Sequence, residues 1–97
     1  MMYLTEFGLS EKDIKDIYDS LGEEERFMLM GATSDVEEIL NYFKELGFTN
    51  FKELLMKKTL LFCRKPYAIK ELIEKSDVPN LVDKLKEDIT NFKLIGY

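Results

Sequence analysis

The stretch TSDVEEILNYFKELGF, residues 33–48, constrains the fold of this chain more than any other. Its apolar side chains recur at intervals of three and four, which is the spacing of one face of an α-helix. Ser34 followed three positions later by Glu37 predicts a capping box at the start of this helix. The residues of the apolar face are Val36, Ile39, Leu40, Phe43 and Leu46.

Gly47 and Phe48 predict how this helix ends. Glycine adopts the left-handed backbone conformation after a helix without strain, and an apolar residue behind it closes back on the last turn, here on Phe43. The segment YLTEFGL at residues 3–9 has the same form, so a second joint is predicted at Gly8. The letters Thr-Asn-Phe-Lys of residues 49–52 recur at 90–93, but without a glycine in the corresponding place, so no third joint is predicted.

Start signals divide the rest of the chain into further short helices. Ser10 and Asp13 form a second capping-box pattern, Thr49-Asn50 precede an apolar helix, and Pro66 and Pro79 suit first turns. Residues 59–63 are apolar and too short to distinguish a helical turn from a buried strand. The sequence therefore predicts a single all-α domain over residues 1–97. We expect a compact bundle of about six short helices arranged as stacked helical hairpins, with the C-terminal tail docked on the core.

The apolar patterns also repeat along the chain. Gly8 matches Gly47, and Val36-Ile39-Leu40 match Ile69-Leu72-Ile73, a loose periodicity typical of helical repeat proteins. The segment LNYFKELGFTNFKELLMKKTLLF, residues 40–62, resembles the helical repeat of the mitochondrial transcription termination factor (mTERF) family, and the resemblance covers roughly residues 3–75. That family usually has a proline where Thr59 precedes the paired leucines. The resemblance implies nucleic-acid binding by basic side chains along a concave face.

Charge is distributed unevenly along the sequence. Residues 1–51 carry four basic and twelve acidic side chains, a net charge of −8, whereas residues 52–97 carry ten and seven, a net charge of +3. The segment 52–70 contains six basic residues and one acid. Lys57, Lys58, Arg64 and Lys65 within it are the candidate nucleic-acid contacts. The overall charge of −5 is unfavourable for binding phosphates non-specifically.

Residues suited to catalysis are scarce. The chain has no histidine, and its single cysteine, Cys63, lies in an apolar run typical of a buried side chain. No glycine-rich phosphate loop and no metal-binding pattern is present, and the acids Glu23 to Glu25 are explained by the favourable charge at a helix start. We expect no enzymatic activity, no cofactor and no metal site.

An interaction surface is the leading functional hypothesis. Arg26 is followed by four apolar residues, and because four in succession cannot all face one side of a helix, we expect Phe27, Met28 and Met30 to supply a binding surface. The expected partner is another protein or a second copy of the chain, in a homodimer. Nucleic acid bound by the segment 52–70 is the alternative, and imitation of nucleic acid by the acidic half is a third hypothesis. No apolar run is long enough to span a membrane, no export signal is present, and the lone cysteine suits the reducing cytoplasm, where we expect the protein.

Overall fold

Every regular element of the protein is a helix. The computed structural model describes residues 1–97, in which six α-helices and three 3₁₀-helices are joined by links of one to six residues. The 3₁₀-helices are η1 (Met2–Phe7), η2 (Thr59–Cys63) and η3 (Ile89–Ile95). The α-helices are α1 (Glu11–Ser20), α2 (Glu23–Gly31), α3 (Thr33–Glu45), α4 (Phe51–Lys57), α5 (Pro66–Glu74) and α6 (Leu81–Glu87).

The nine helices share one hydrophobic core. It contains 23 buried apolar residues, and each helix contributes at least one of them. Thr59 is the only polar residue that is buried, and its hydroxyl donates a hydrogen bond of 2.6 Å to the carbonyl of Leu55, which removes the cost of burying it. The predicted all-α bundle is confirmed, and the undecided segment 59–63 is a 3₁₀-helix rather than a strand.

The element order α, α, 3₁₀ occurs twice in succession. We call α3–α4–η2 the first repeat and α5–α6–η3 the second. Val36 of α3 and Ile69 of α5 occupy matching positions, and both are buried. Phe62 of η2 and Phe92 of η3 also match, and both are fully buried. The two repeats therefore bury corresponding side chains in the shared core.

The joint predicted at Gly47 is confirmed in its backbone bonds. Gly47 has a φ of 98°, the N–H of Phe48 donates to the carbonyl of Phe43 (3.0 Å), and the N–H of Gly47 donates to the carbonyl of Lys44 (3.1 Å). This pair of bonds defines a Schellman motif. The rings of Phe43 and Phe48 lie 5.0 Å apart, which supplies the apolar contact that accompanies the motif.

A second Schellman motif closes the C-terminal segment, where none was predicted. Gly96 has a φ of 89°, the N–H of Tyr97 donates to Phe92 (3.0 Å), and the N–H of Gly96 donates to Lys93 (3.1 Å). Its sequence, FKLIGY at residues 92–97, matches FKELGF at residues 43–48. The expectation that the third copy lacks its glycine is therefore wrong. The tail does dock on the core as predicted, but as the helix η3.

The N-terminal copy forms only half of this joint. Gly8 is left-handed, with a φ of 82°, and its N–H donates to Thr5, but no backbone hydrogen bond joins Leu9 to Leu4. A 3₁₀-helix is wound more tightly than an α-helix, and η1 ends without the second bond of the motif. Leu4 and Leu9 are nevertheless both buried in the core.

Four phenylalanine rings connect the joints at the centre of the molecule. Phe43 lies 6.0 Å from Phe62 and 6.3 Å from Phe92, in both cases with the edge of one ring directed at the face of the other. Phe48 lies 6.2 Å from Phe92. Edge-to-face and offset aromatic pairs are favourable beyond the surface area that they bury. The two repeats are thus packed together through the residues that form their joints.

Of the side-chain caps expected before α1, α3 and α4, only the first is formed. The capping box of Ser10 and Asp13 is confirmed, and the Ser10 N–H and then Lys52 hold the pKa of Asp13 below its usual value. Ser34 does not cap α3, because α2 runs into α3 through the single residue Ala32 and Ser34 already lies in the first turn. Asn50 precedes α4 without a side-chain cap bond.

Proline marks the start of one of its two helices. Pro66 is the first residue of α5, as predicted. α6 begins at Leu81 rather than at Pro79, since Asn80 adopts a left-handed conformation with a φ of 55° and turns the chain before the helix starts. The predicted helix is thus present, but it starts two residues later.

Substituting alanine at the two Schellman glycines tests the role of the joints. We expect Gly47→Ala and Gly96→Ala each to lower the free energy of unfolding by about 1–2 kcal/mol, because a side chain disfavours the left-handed backbone. Gly31→Ala is the matched control, since Gly31 ends α2 with ordinary φ and open space around it, and we expect equal or higher stability. Urea unfolding followed by circular dichroism measures all three. Wild-type stability in Gly47→Ala would contradict the assignment.

Candidate interaction surfaces

The outward side of α2 exposes three large apolar side chains. Phe27 is 79% exposed, Met30 is 55% exposed and Met28 is 41% exposed, whereas Leu29 between them is fully buried. The prediction that the four successive apolar residues 27–30 point to different sides of the helix is thus confirmed. We call Phe27, Met28 and Met30 the α2 surface.

Two neighbouring elements hold α2 in this orientation. The hydroxyl of Tyr3 donates a hydrogen bond of 2.8 Å to the carbonyl of Leu29. Burial, together with the nearby charge of Glu37, raises the pKa of Tyr3 to about 12, so the hydroxyl keeps its proton at neutral pH. Arg26 is fixed to α1, because its Nε donates to the carbonyl of Tyr18 (2.7 Å) and its guanidinium lies 4.2 Å from the centre of the Tyr18 ring.

The α2 surface is bordered by acidic side chains. Glu23 and Glu24 line a shallow cleft of about 550 Å³ together with Phe27 and Met28. Arg26 is the only base of α2 against three acids, Glu23 to Glu25. The local field of the α2 surface is therefore negative, which favours a partner that is both apolar and basic.

The basic segment gathers three of its four predicted residues around another cleft. Lys57, Lys58 and Arg64 line an open space of about 420 Å³ that Tyr97 and Glu25 also border. Lys58 Nζ donates to the Tyr97 carbonyl (2.8 Å), and the guanidinium of Arg64 lies 5.8 Å from the centre of the Tyr97 ring. Lys57 takes part in none of the six ion pairs and in no side-chain hydrogen bond.

Lys65 does not join this cleft. Its Nζ lies 3.2 Å from Oδ2 of Asp35 in α3, and it does not line the space that Lys57 and Lys58 border. The sequence places Arg64 and Lys65 next to each other, but because the backbone at Arg64 is extended before α5 starts, neighbouring side chains point to different sides. The four predicted contacts therefore do not form one continuous patch.

The surroundings of Cys63 favour its neutral thiol. Burial, and secondarily the charge of Glu25, raises the pKa of Cys63. The thiol also lies 3.5 Å from the Thr59 carbonyl, to which it donates. A thiol is nucleophilic only as the thiolate, so this environment suppresses the reactivity of Cys63. No group of three or more acidic or sulfur side chains is close enough to hold a metal ion.

The sequence pattern misplaces Leu72, as it does Tyr18, which belongs to the apolar face predicted for α1 but is 41% exposed. The helical periodicity of α5 predicts that Ile69, Leu72 and Ile73 all face inward, but Leu72 is 37% exposed and borders a groove between α5 and η3. Leu94 of η3 is similarly exposed beside it. Periodicity identifies the apolar face of a helix, but it does not tell whether another element covers that whole face.

The chain was compared with models of known families, with curated proteins and with solved structures, and none of them matches it. The resemblance to the mTERF repeat therefore stays a hypothesis based on residues 3–75. The longest helix, α3, has 13 residues, and none of the helices has the length and apolar character needed to cross a membrane.

The thiol environment predicts slow modification of Cys63. At pH 8 we expect a disulfide reagent to modify folded protein about tenfold or more slowly than protein unfolded in urea, since burial limits access and raises the pKa. Both rates are measured from the absorbance of the coloured thiol that the reagent releases. Equal rates in the two states would show that Cys63 is an accessible, ionisable thiol.

Proposed function

We propose that the protein is a non-catalytic protein-interaction module whose partner binds at the α2 surface. The observation that carries this proposal is the exposure of Phe27, with 79% of a large aromatic side chain in water at the middle of an ordered helix. Aromatic and methionine side chains are enriched in the centres of protein interfaces and usually provide much of the binding energy.

The geometry of α2 makes these side chains available together. Phe27 and Met30 are three positions apart and lie on the same side of the helix, while Met28 lies on the side of Glu24, four positions before it. Burying one such side chain against a partner is worth about 1.5–3 kcal/mol. Two or three of them supply roughly 3–9 kcal/mol before the cost of association is subtracted, so the residues around them must add further contacts.

Photo-cross-linking at position 27 tests this proposal directly. We expect a photoreactive phenylalanine analogue at position 27, in protein expressed in its source cells, to form a discrete protein adduct. The adduct should survive nuclease treatment and be lost with the additional substitution Met30→Asp, because the apolar contact is removed. Mass spectrometry identifies the partner, and an adduct of twice the chain mass identifies a second copy of the protein.

Position 67 provides the control for this experiment. Tyr67 is another exposed aromatic residue, at 71%, and it lies on α5 rather than on α2. The same analogue there should not give the adduct. An identical adduct pattern from positions 27 and 67 would contradict the proposal. Met30→Asp should change the free energy of unfolding by no more than about 0.5–1 kcal/mol, because the side chain is largely in water.

Nucleic-acid binding is the second candidate function, and one arrangement favours it. Lys57, Lys58 and Arg64 converge with the ring of Tyr97 on one cleft, and cations beside an aromatic ring suit a phosphate and a stacked base. The mTERF resemblance points to the same class of ligand. Against it stand Glu25 in the cleft, the Asp35 partner of Lys65, and the net charge of −5.

Fluorescence anisotropy with labelled single-stranded and duplex oligonucleotides tests the second function. If the cleft binds nucleic acid, Lys57→Glu with Arg64→Glu should abolish binding at low salt, since both charges would repel phosphates. Lys75→Glu reverses a charge outside the cleft and serves as the control. Wild-type protein that shows no anisotropy change at about 20 mM salt would eliminate this function.

A further inference from the structure

A groove runs between α5 and η3 on the side of the molecule that the second repeat leaves open. It has a volume of about 620 Å³. Its floor includes the exposed apolar residues Leu72 and Leu94, and its rim carries charges of both signs. The residues that matter here are Ala68, Glu71, Leu72 and Lys75 at α5 and Leu94 and Ile95 of η3. We call this the α5–η3 groove.

The burial of α5 beside this groove can be compared, residue by residue, with the burial of α3, its counterpart in the first repeat. α3 and α5 are matching helices, and their inward positions agree in burial: Val36 and Ile69 are both buried, and so are their neighbours one turn further on. One matched pair differs. Ile39 is 1% exposed, whereas Leu72, its counterpart in α5, is 37% exposed. The second repeat therefore lacks a covering element that the first repeat has.

Helix α5 packs against α3 along the edge next to Ile39. Polar contacts fix α5 and the residue before it to one edge of α3, next to Ile39 in the helical register. The contacts join Lys65 Nζ to Asp35 Oδ2 (3.2 Å), Lys70 Nζ to Glu38 Oε1 (3.3 Å) and Tyr42 Oη to Glu74 Oε1 (3.5 Å). The ammonium of Lys70 also lies 5.7 Å from the centre of the Tyr42 ring.

The α5–η3 groove contains the residues of α5 that correspond to the α5-binding edge of α3. Asp35, Glu38 and Tyr42 of α3 contact α5 or the residue before it, and Ile39 lies on the same edge of α3 in the helical register. Their counterparts, with Val36 aligned on Ile69, are Ala68, Glu71, Leu72 and Lys75, and all four line the α5–η3 groove. The surface of α5 that corresponds to the α5-binding surface of α3 thus keeps an acid and an apolar residue at matching places, Glu71 and Leu72, and it is open to solvent.

We propose that the α5–η3 groove binds an amphipathic helix of a partner protein, seated on α5 as α5 is seated on α3. The expected helix carries two apolar residues four positions apart, as Ile69 and Ile73 are in α5. A basic residue directly after the first, in the place of Lys70, pairs with Glu71 as Lys70 pairs with Glu38, and it shares the Glu71 carboxylate with Lys75, whose Nζ lies 2.7 Å from Oε1. This surface is separate from the α2 surface, so the inference does not depend on the function proposed above.

The chain itself does not supply a suitable helix from a second copy. Its own α5 is already packed on α3, with Ile69 and Ile73 buried in the core. The helix with the most exposed large apolar side chains is α2, whose free edge carries Glu23 and Glu24 and would present acids to Glu71. Like charges facing each other across an interface disfavour that pairing.

A peptide with the sequence of α5 is the probe for the α5–η3 groove. Residues 64–75, RKPYAIKELIEK, are synthesised with blocked ends and a lactam joining the Glu71 and Lys75 side chains, because an isolated helix of this length is otherwise marginal. The lactam lies on the side of the peptide that would face away from the protein. Chemical shifts of ¹⁵N-labelled full-length protein are followed as peptide is added.

We expect saturable shift changes centred on Ala68, Leu72 and Leu94. The variant Leu72→Asp should lose them, and Phe27→Asp, on the α2 surface, should keep them. Both side chains are exposed, so both variants should fold, as their spectra would show. An absence of shifts up to about 1 mM peptide, which corresponds to a binding free energy weaker than about −4 kcal/mol, would overturn the proposal. Shifts confined to α2 or α3 would overturn it as well.

A charge exchange tests the seating of the helix. Glu71→Lys in the protein, or Lys70→Glu in the peptide, should each weaken binding by roughly two- to fivefold, the range for an exposed ion pair, and the two together should restore it. If the double exchange does not restore the affinity, the proposed orientation of the helix on α5 is wrong. Sedimentation of the protein alone provides the last outcome: a dimer abolished by Leu72→Asp would assign the groove to a second copy and overturn the partner-helix proposal.

Discussion

The fold depends on the contact between Phe43 and Phe92, whose rings lie 6.3 Å apart at the centre of the molecule. Each residue stands at the same place in its own Schellman motif, where its carbonyl accepts the N–H of the aromatic residue behind the glycine. The same two residues thus end the helices and fill the core. Because Phe48 lies 6.2 Å from Phe92, the first joint also contacts the second repeat. The stacking of the repeats is therefore coupled to the geometry of their joints.

Most of the fold could be predicted from the sequence, because helix periodicity and glycine joints are local signals. The joint at Gly47 was predictable since every group that forms it lies between Phe43 and Phe48. The joint at Gly96 does not follow from the repeated letters Thr-Asn-Phe-Lys, because its signal is the spacing from phenylalanine to glycine in FKELGF and FKLIGY. Those letters occupy different structures: residues 49 and 50 precede α4, whereas residues 90 and 91 lie inside η3. The cap expected at Ser34 does not form, because α2 leads into α3 through one residue and Ser34 already lies in the first turn.

The candidate sites were predictable only in part. Four successive apolar residues require that some point outward, so the exposure of Phe27 follows from helix geometry alone. The exposure of Leu72 does not follow, because its burial depends on whether a further element packs on α5. Lys65 could not be separated from Arg64 by sequence either, since the direction of each side chain depends on the extended backbone before α5. Local rules thus identify faces, whereas the element that covers each face is a tertiary property.

The opposite charges of the two halves act largely within the molecule. Lys52 is paired with Asp13 and Asp16, and the bases at the start and middle of α5 pair with the acids of α3. Each exposed pair adds little stability by itself. Together, however, they neutralise half of the six bases in the segment 52–70, and two more are engaged with Tyr97. Lys57, Lys58 and Arg64 keep uncompensated charges, because a carbonyl and an aromatic ring carry no net charge. The charge asymmetry of the sequence therefore contributes to the docking of one half on the other, and the bases that stay uncompensated lie together at the cleft beside Tyr97.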